Sequence, residues 1–196
     1  SAVDWSAAVW LWHRQGDNGT ASWAVRKIID NVAEPAPDEH LPPVLASAGV
    51  VPPLVTAINL SLDDRLLYVS CWGTGELRQY DVSQPWAPRL TAVARLGGIT
   101  RRSPHPAAPA APLLGGPHGV EISRDGRRVY VTNAFHDAWD AQLHGDGLRG
   151  WLARFDVDAG GGLSADPRFF LSFDDWRPHQ VRLEGGDASS DTFCYA

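Results

Sequence analysis

The sequence predicts an all-β protein, the C-terminal part of a β-propeller built from four-stranded antiparallel blades. The first observation is the stretch at residues 55–83, VTAINLSLDDRLLYVSCWGTGELRQYDVS, where short apolar, β-branched segments alternate with turn residues. Strands joined this tightly pair antiparallel, because a parallel crossover needs a dozen or more residues. The second observation is an internal repeat, since residues 60–70 match residues 122–132 at an offset of 62. Such repeats are typical of propellers, in which sheets that cannot bury both faces alone stack radially.

The strands of both units are bounded by the same turn signals. In the first unit we predict strands at 55–60, 66–72, 75–82 and 89–96, with turns at Asp63-Asp64 and at residues 73–75. In the second unit the strands begin at 119–123 and return at 150–157 and 167–173. The segment LARFDVD of the second unit echoes LRQYDVS of the first. The pattern therefore predicts two complete blades.

Around these blades the chain divides into further segments. In chain order we predict an outer half-blade at 1–29, a Pro-rich acidic linker at 30–53 with a helical turn near 38–41, a blade at 54–96, a loop at 97–116, a blade at 117–173 and the start of a final blade at 178–196. A propeller needs at least four blades. We therefore expect this chain, which contains no Met, to be a piece of a larger propeller.

Composition narrows the class of protein. The chain has 196 residues, 44% of them hydrophobic and 20% charged, which is ordinary for a soluble globular protein. The net charge of −6 argues against nucleic acid and against an anionic membrane as partners. No apolar run approaches the roughly 20 residues that a membrane span needs. The two cysteines, Cys71 and Cys194, do not make a disulfide framework. We predict two free thiols, with a single bridge as the alternative.

Two histidines are the strongest candidates for chemistry. When the three units are aligned on their inner strands, Thr56, His118 and His179 occupy one position, and the pattern Pro-His-x-Val-x-[Leu/Ile] surrounds both histidines. In a propeller the first residues of the innermost strands crowd one end of the central channel, so these side chains are predicted to converge. Neutral imidazole is a common ligand of Cu, Zn, Fe and Ni. The alternative is that both are polar channel residues bonded to water.

The other polar clusters carry weaker signals. The insertion at 136–147 contains His136, His144 and three Asp residues, which fits either a metal site or, as we prefer, a mobile polar loop. The segment 185–191, GGDASSD, offers oxygen atoms such as those of Asp187 to a hard cation like Ca²⁺, or forms a plain tight turn, which we prefer.

The remaining histidines and the first cysteine have structural interpretations. We expect His13 to have a structural role in an outer strand, and His40 and His105 to be solvated in Pro-rich loops. Cys71 is predicted to be a buried thiol in mid-strand. The sequence contains no Ser-His-Asp elbow, no phosphate-binding loop and no dinucleotide fingerprint.

Several motifs resemble one family. They are residues 51–83, LGGITRR, GGPHGVEISRDGRRVYVTNA, AWDAQ, GGGLSADPRFF and RPHQVRLEGGDASSD. Together they resemble the C-terminal part of the selenium-binding protein family of the 56 kDa type, which includes methanethiol oxidases. The resemblance covers nearly the whole chain.

The resemblance implies a seven-bladed propeller of more than twice this length. It implies copper as cofactor and conversion of a small thiol, methanethiol, with O₂ and water to formaldehyde, H₂O₂ and H₂S. Selenium binding in animal members is attributed to a cysteine in the N-terminal half, outside this chain, and most proposed copper-ligating histidines also lie there.

Residue by residue, His179 matches the histidine that members keep before their Gly-Gly-Asp segment, and Asp187 matches that segment. His118 departs from the pattern, because Gln is expected after GGP in many relatives. Phe135-His136-Asp137 departs from the Leu-Tyr-x that relatives place before AWD.

Three functions remain open from the sequence. The first is a copper-dependent thiol oxidase that is inactive as this piece alone. The second is a protein that binds selenium or metal without turnover, and the third is a scaffold for partner proteins. The compartment is left open between cytoplasm and periplasm. Metal content and H₂O₂ production by the whole protein discriminate the three.

Overall fold

The strands of this chain form antiparallel sheets throughout the part that the structure, a computed structural model, describes: residues 5–16, 22–145, 147–174 and 176–191. The strands are β1 (Ala7–Gln15), β2 (Ser22–Asn31), β3 (Glu34–Pro35), β4 (Val50–Val51), β5 (Val55–Leu60), β6 (Leu66–Cys71), β7 (Glu76–Asp81), β8 (Arg89–Arg95), β9 (Val120–Ile122), β10 (Arg128–Thr132), β11 (Gly150–Val157) and β12 (Leu163–Phe173). Two α-helices, α1 (Asp137–His144) and α2 (Ala188–Asp191), and two 3₁₀ helices, Asp38–His40 and Pro43–Leu45, complete the elements. The helical turn predicted near residue 38 is therefore present.

Two four-stranded sheets dominate the architecture, as the repeat predicts. One has the order β5-β6-β7-β8 and the other the order β9-β10-β11-β12. The register is repeated as well: Leu60 pairs with Leu67, and Ile122 pairs with Val129, at the same offset of 62. Such sheets are consistent with propeller blades, and the mostly-β class is confirmed.

The two sheets pack face to face through one hydrophobic cluster. Tyr68 and Leu77 of the first sheet are fully buried against Ile122, Val131 and Trp151 of the second. Each of these side chains lies on the inward face of a strand with period-two alternation. Burying such apolar area is the main favourable term in folding, and here it fixes the second sheet against the first. Asn59 adds a polar link, because its Nδ2 donates to the carbonyl oxygen of Val120 at 3.1 Å.

The hairpin of β1 and β2 packs on the other face of the first sheet. Val9 and Ile29 join a cluster with Val69 and Tyr80. The outward face of the same hairpin is rich in tryptophan: Trp10, Trp12 and Trp23 are 54%, 67% and 68% exposed. The hairpin is therefore apolar on both faces.

The insertion at 136–147 is the clearest difference from the sequence prediction. We predicted a mobile polar loop there, and the structure instead has helix α1 over Asp137–His144. Leu143 joins a core cluster with Trp72 and Ile99. The loop prediction is therefore wrong, because apolar contacts to other elements, which the local sequence does not reveal, order this segment.

A second difference concerns the predicted final blade. Residues 178–183, all of which the structure describes, form no strand. The carbonyl oxygen of His179 is held by the side chain of Thr132, whose Oγ1 donates to it at 3.0 Å. The segment is therefore attached to β10 by this side-chain hydrogen bond and not by strand pairing. The limits of the other predicted segments stay predictions.

Candidate functional site

The structure brings His118 and His179 into direct contact. Their Nε2 atoms lie 3.3 Å apart although 61 residues separate them along the chain. His118 lies two residues before β9, and its backbone N–H donates to the carbonyl oxygen of Thr132 at 2.7 Å. His179 lies in the extended segment that crosses over this end of the second sheet. Thr56, at the aligned position of the first sheet, lies in β5 at a register shift between Val55 and Ala57.

The tautomer of His179 follows from its second contact. Its Nδ1 lies 3.2 Å from the carbonyl oxygen of Ala134. A carbonyl oxygen only accepts, so Nδ1 carries the proton and donates. The Nε2 atom of a neutral His179 is then an unprotonated acceptor that points at His118. A backbone carbonyl that fixes the outer ring nitrogen in this way is a common feature of metal-binding histidines.

His118 is the buried member of the pair. It is 7% exposed, and its Nδ1 has no hydrogen-bond partner among the described residues. Burial, and in second place the charge of His179, lowers the pKa of His118 to about 4. His118 is therefore neutral at physiological pH. In the absence of a cation, its Nε2–H donates to the Nε2 atom of His179, and this bond accounts for the short distance.

The walls around the pair are small or aromatic. A methyl group added to Gly119 would lie 2.4 Å from the carbonyl oxygen of His179, so only glycine permits this approach. The ring of Phe135 packs 5.1 Å from that of His118. An open cavity of about 250 Å³ adjoins the pair; besides both histidines it is lined by Ala57, Ile58, Asn59, Gly119, Val120, Gln180 and Ser189. It has room for a ligand of a few heavy atoms.

The spacing of the two Nε2 atoms fits two ligands of one metal ion. Two imidazole nitrogens about 2.0–2.1 Å from one tetrahedral ion lie about 3.3 Å from each other. The distance between the two Nε2 atoms is 3.3 Å. Transfer of the His118 proton from Nε2 to the unpartnered Nδ1 would turn both Nε2 lone pairs toward one cation. Imidazole suits copper and zinc. Among the residues that the structure describes, no group of three or more His, Cys, Asp or Glu side chains is arranged around a possible ion.

Asp187 lies apart from the histidine pair and is held by protein groups. Its carboxylate is fully buried; Oδ2 accepts from the backbone N–H of Leu183 at 3.0 Å, and Oδ1 lies 3.9 Å from Arg182 Nη1. Arg182 also binds the buried carboxylate of Glu121. The Ser189 hydroxyl donates a hydrogen bond to the same carboxylate. These contacts fasten the segment 185–189 to β9. The Ca²⁺ prediction for this segment stays a prediction.

The other predicted histidines are scattered. His13 lies in β1, where its ring packs edge-on against Trp86 with the ring centres 4.4 Å apart. His40 is exposed, and His136 is exposed at the residue before α1. None of these three histidines lies in contact with His118 or His179 among the described contacts, and the metal site considered for the insertion at 136–147 stays a prediction.

Two histidines that were expected in solvent are buried. His105 has no exposed surface; its ring stacks on Phe170 at 5.0 Å, and burial lowers its pKa. His144 is 6% exposed, its ring packs edge-on against Trp72 at 4.7 Å, and burial lowers its pKa to about 4. Both predictions of solvated or mobile positions are wrong. The loops fold back onto aromatic side chains, and sequence polarity alone does not reveal those contacts.

Cys71 is a buried thiol, as predicted. It is fully buried and forms no disulfide within the described residues, and burial raises its pKa to about 12. The thiolate is therefore not populated at neutral pH. Cys194, and with it the second half of the thiol prediction, lies outside the described residues.

Three contributors to the site carry no recognisable sequence signal. The carbonyl oxygen of Ala134 is a backbone group, and Thr132 and Phe135 belong to a strand and a turn of ordinary composition. Gly119 alone had a possible signal, since glycine at a strand entry often marks a close approach of two backbones. In the described part of the chain, no helix combines the length and hydrophobicity of a membrane crossing.

Comparisons with known proteins agree on one family. The model of the 56 kDa selenium binding protein family (SBP56) matches residues 1–194. Human methanethiol oxidase is 36% identical over 200 residues, which cover 89% of this chain and 40% of the human protein. Selenium-binding protein 2 of the mouse is 36% identical over 197 residues, with the same coverage.

A solved structure agrees with both. The X-ray structure of a hypothetical selenium-binding protein from Sulfolobus tokodaii superposes with a TM-score of 0.90 at 49% identity. The match covers 98% of this chain and 41% of the Sulfolobus chain. This chain thus spans about two fifths of the length of the proteins it resembles.

Proposed function

Since the chain belongs to the 56 kDa selenium-binding protein family, we propose that it forms part of a copper-dependent oxidase of small thiols. The two four-stranded sheets are blades of a seven-bladed propeller, and the histidine pair faces its channel. The reaction converts methanethiol, O₂ and water into formaldehyde, H₂S and H₂O₂. Human methanethiol oxidase at 36% identity supports the substrate. The single observation that carries the proposal is the 3.3 Å distance between the two Nε2 atoms.

His118 and His179 would hold the copper ion through Nε2. Bound copper would supply one-electron redox chemistry that couples oxidation of a thiol to reduction of O₂. Further ligands would come from water, substrate or parts of the protein outside the described residues.

The protein groups around the pair have defined roles. The carbonyl oxygen of Ala134 holds the proton of His179 on Nδ1 and keeps Nε2 free for binding. The burial of His118 keeps this imidazole neutral, because the charged form loses its hydration. The adjoining cavity of about 250 Å³ accommodates a substrate as small as methanethiol.

The test uses the whole protein of which this chain is proposed to be a part, because this piece alone is expected to be inactive, and two single variants of it. We expect bound copper by elemental analysis, and consumption of methanethiol with formation of H₂O₂. His179→Ala should lose both copper and turnover. His118→Ala should lower the copper affinity by more than about tenfold, since loss of even an outer-shell partner costs about 10–100-fold. His40→Ala is the matched control, since His40 is an exposed histidine outside the site.

Two outcomes would overturn the proposal. If the wild type binds copper or selenium in stoichiometric amounts without forming product, the protein is a binding protein and not an oxidase. If His179→Ala keeps copper and turnover, the site is elsewhere.

A further inference from the structure

Helix α1 is connected to the histidine pair by a buried ion pair. Asp140 is 1% exposed, and its Oδ2 contacts the guanidinium Nη2 of Arg177. Neither carboxylate oxygen has a partner of hydrogen-bond geometry among the described residues, so the contact with Arg177 is an ion pair. A buried carboxylate needs a cation beside it, because a buried unpaired charge is costly. The position of Arg177 is therefore coupled to that of helix α1.

The connection between Arg177 and His179 is short and stiff. Only Pro178 separates the two residues, and its ring fixes φ near −65°. Proline also restricts the residue that precedes it, here Arg177, to extended backbone. A displacement of Arg177 is therefore expected to move His179 as well.

The same segment is enclosed from its other side. A methyl group added to Gly150, the first residue of β11, would lie 2.3 Å from Pro178 Cδ and 2.4 Å from the carbonyl oxygen of Trp176. The backbone of β11 thus blocks movement in that direction. Arg177 blocks movement in the other, because its ion pair ties the segment to α1.

We propose that Asp140 is a positioning residue of the site, which acts through Arg177 to hold the His179 imidazole against the carbonyl oxygen of Ala134. The inference rests on the proposed function, because a fixed Nε2 lone pair on His179 has a role only if a metal ion binds there. The positioning itself is a property of the protein without metal or substrate. The proposal assigns a role to helix α1, which lies in the insertion at 136–147 of the second sheet. The first sheet has no such insertion.

The chain offers a matched control for Asp140. Arg177 also contacts Asp137, whose Oδ1 lies 3.0 Å from Nη1. The side chain of Asp137 is 87% exposed, whereas that of Asp140 is 1% exposed. Water compensates for the loss of the first contact but not of the second.

The experiment reads the histidine tautomer in the metal-free protein. Long-range ¹H–¹⁵N correlation of the histidine side chains should show His179 protonated on Nδ1. In Asp140→Asn we expect the ratio of the Nδ1–H to the Nε2–H form to fall about fivefold, the change that loss of one ordinary hydrogen bond produces. Asp137→Asn should keep the wild-type ratio. Near-ultraviolet circular dichroism checks that both variants are folded.

Each result decides the inference. A folded Asp140→Asn variant with the wild-type ratio overturns it, and so does an equal effect of Asp137→Asn. If Asp140→Asn does not fold, Arg177→Lys replaces it, because lysine keeps the charge but loses the fork of the guanidinium; an unchanged ratio there also overturns the inference. The measurement uses protein without copper, so the tautomer ratio still tests the role of Asp140 even if the oxidase proposal is wrong.

Discussion

Gly119 and His179 make the closest backbone approach at the site: a methyl group on Gly119 would stand 2.4 Å from the carbonyl oxygen of His179 and 2.6 Å from Thr132 Oγ1. Two segments 60 residues apart in sequence meet here with no space for a side chain. The contact places His179 over the entry to β9, where His118 lies.

Substitution of this glycine should therefore damage both stability and the site. We expect Gly119→Ala to lower the free energy of unfolding by about 1–3 kcal/mol, the usual cost of overpacking a closed contact. Urea denaturation measures the effect. Gly160→Ala is the control, because a methyl group there meets nothing within 4 Å. Equal stability of both variants would contradict the described contact.

The buried imidazoles predict a stability that depends on pH. The pKa values of His118 and His144 fall from 6.5 to about 4 on folding. The unfolded chain therefore takes up these protons first as the pH falls. The free energy of unfolding should be constant above pH 6.5 from this cause and should decline between pH 6.5 and pH 4. The decline amounts to about 3 kcal/mol for each imidazole.

Denaturation at a series of pH values checks the decline, and His144→Phe separates the two contributions. Phenylalanine keeps an aromatic ring against Trp72 but does not titrate. In this variant, the decline in the free energy of unfolding that His144 causes should disappear, and the decline that His118 causes should remain. A slope identical to the wild type would contradict this, because it would mean that folding does not change the pKa of His144.

Glu76 should be the most sensitive carboxylate of the first sheet. Its side chain is 7% exposed and lies 2.9 Å from Arg78 Nε and 2.7 Å from Arg95 Nη2. We expect Glu76→Gln to cost about 3 kcal/mol, because it leaves the guanidinium of Arg78 without its counter-charge and that of Arg95 with Glu34 alone. Asp81→Asn, in the same strand but paired with the exposed Arg89, should cost much less, because water screens an exposed pair. Thermal and urea unfolding rank the two, and the reverse order would contradict the network.

Cys71 should not react with thiol reagents while the protein is folded. Its pKa of about 12 and its complete burial leave neither thiolate nor access. In a Cys194→Ser background, which removes the other thiol, Ellman's reagent should label nothing in native buffer and one thiol in urea. Rapid labelling in native buffer would mean that β6 opens readily.

The sequence predicted the two sheets well because their turns are set by local chemistry. Ser61 Oγ donates to Asp63 Oδ1 at 2.6 Å, and Ser123 Oγ donates to Asp125 Oδ1 at 2.5 Å. Each serine oxygen also accepts a backbone N–H from the next strand. Such short-range bonds leave a repeated signature in the sequence. The alignment of the repeats is also what placed His118 opposite His179.

The failures have the opposite cause. Helix α1 and the burial of His105 and His144 depend on partners far away in the sequence, namely Arg177, Phe170 and Trp72. Polar composition suggested a mobile loop at α1, which contains His144, and proline content suggested a solvated loop around His105. The contact of His179 with Ala134 was likewise invisible, because any residue supplies a carbonyl oxygen. Local patterns therefore predicted the sheets and the approximate location of the site, but not the groups that orient it.

In the repeated units, the residues that specify the fold are different from the residue at the strand-entry position. The serine-aspartate turns that fix the strands begin five residues after the strand-entry position that holds Thr56 in one sheet and His118 in the other. A lineage can exchange the residue at the entry position while the turns continue to specify the same fold. A histidine can thus be gained or lost at this position between repeated units by a single substitution, while the fold is kept.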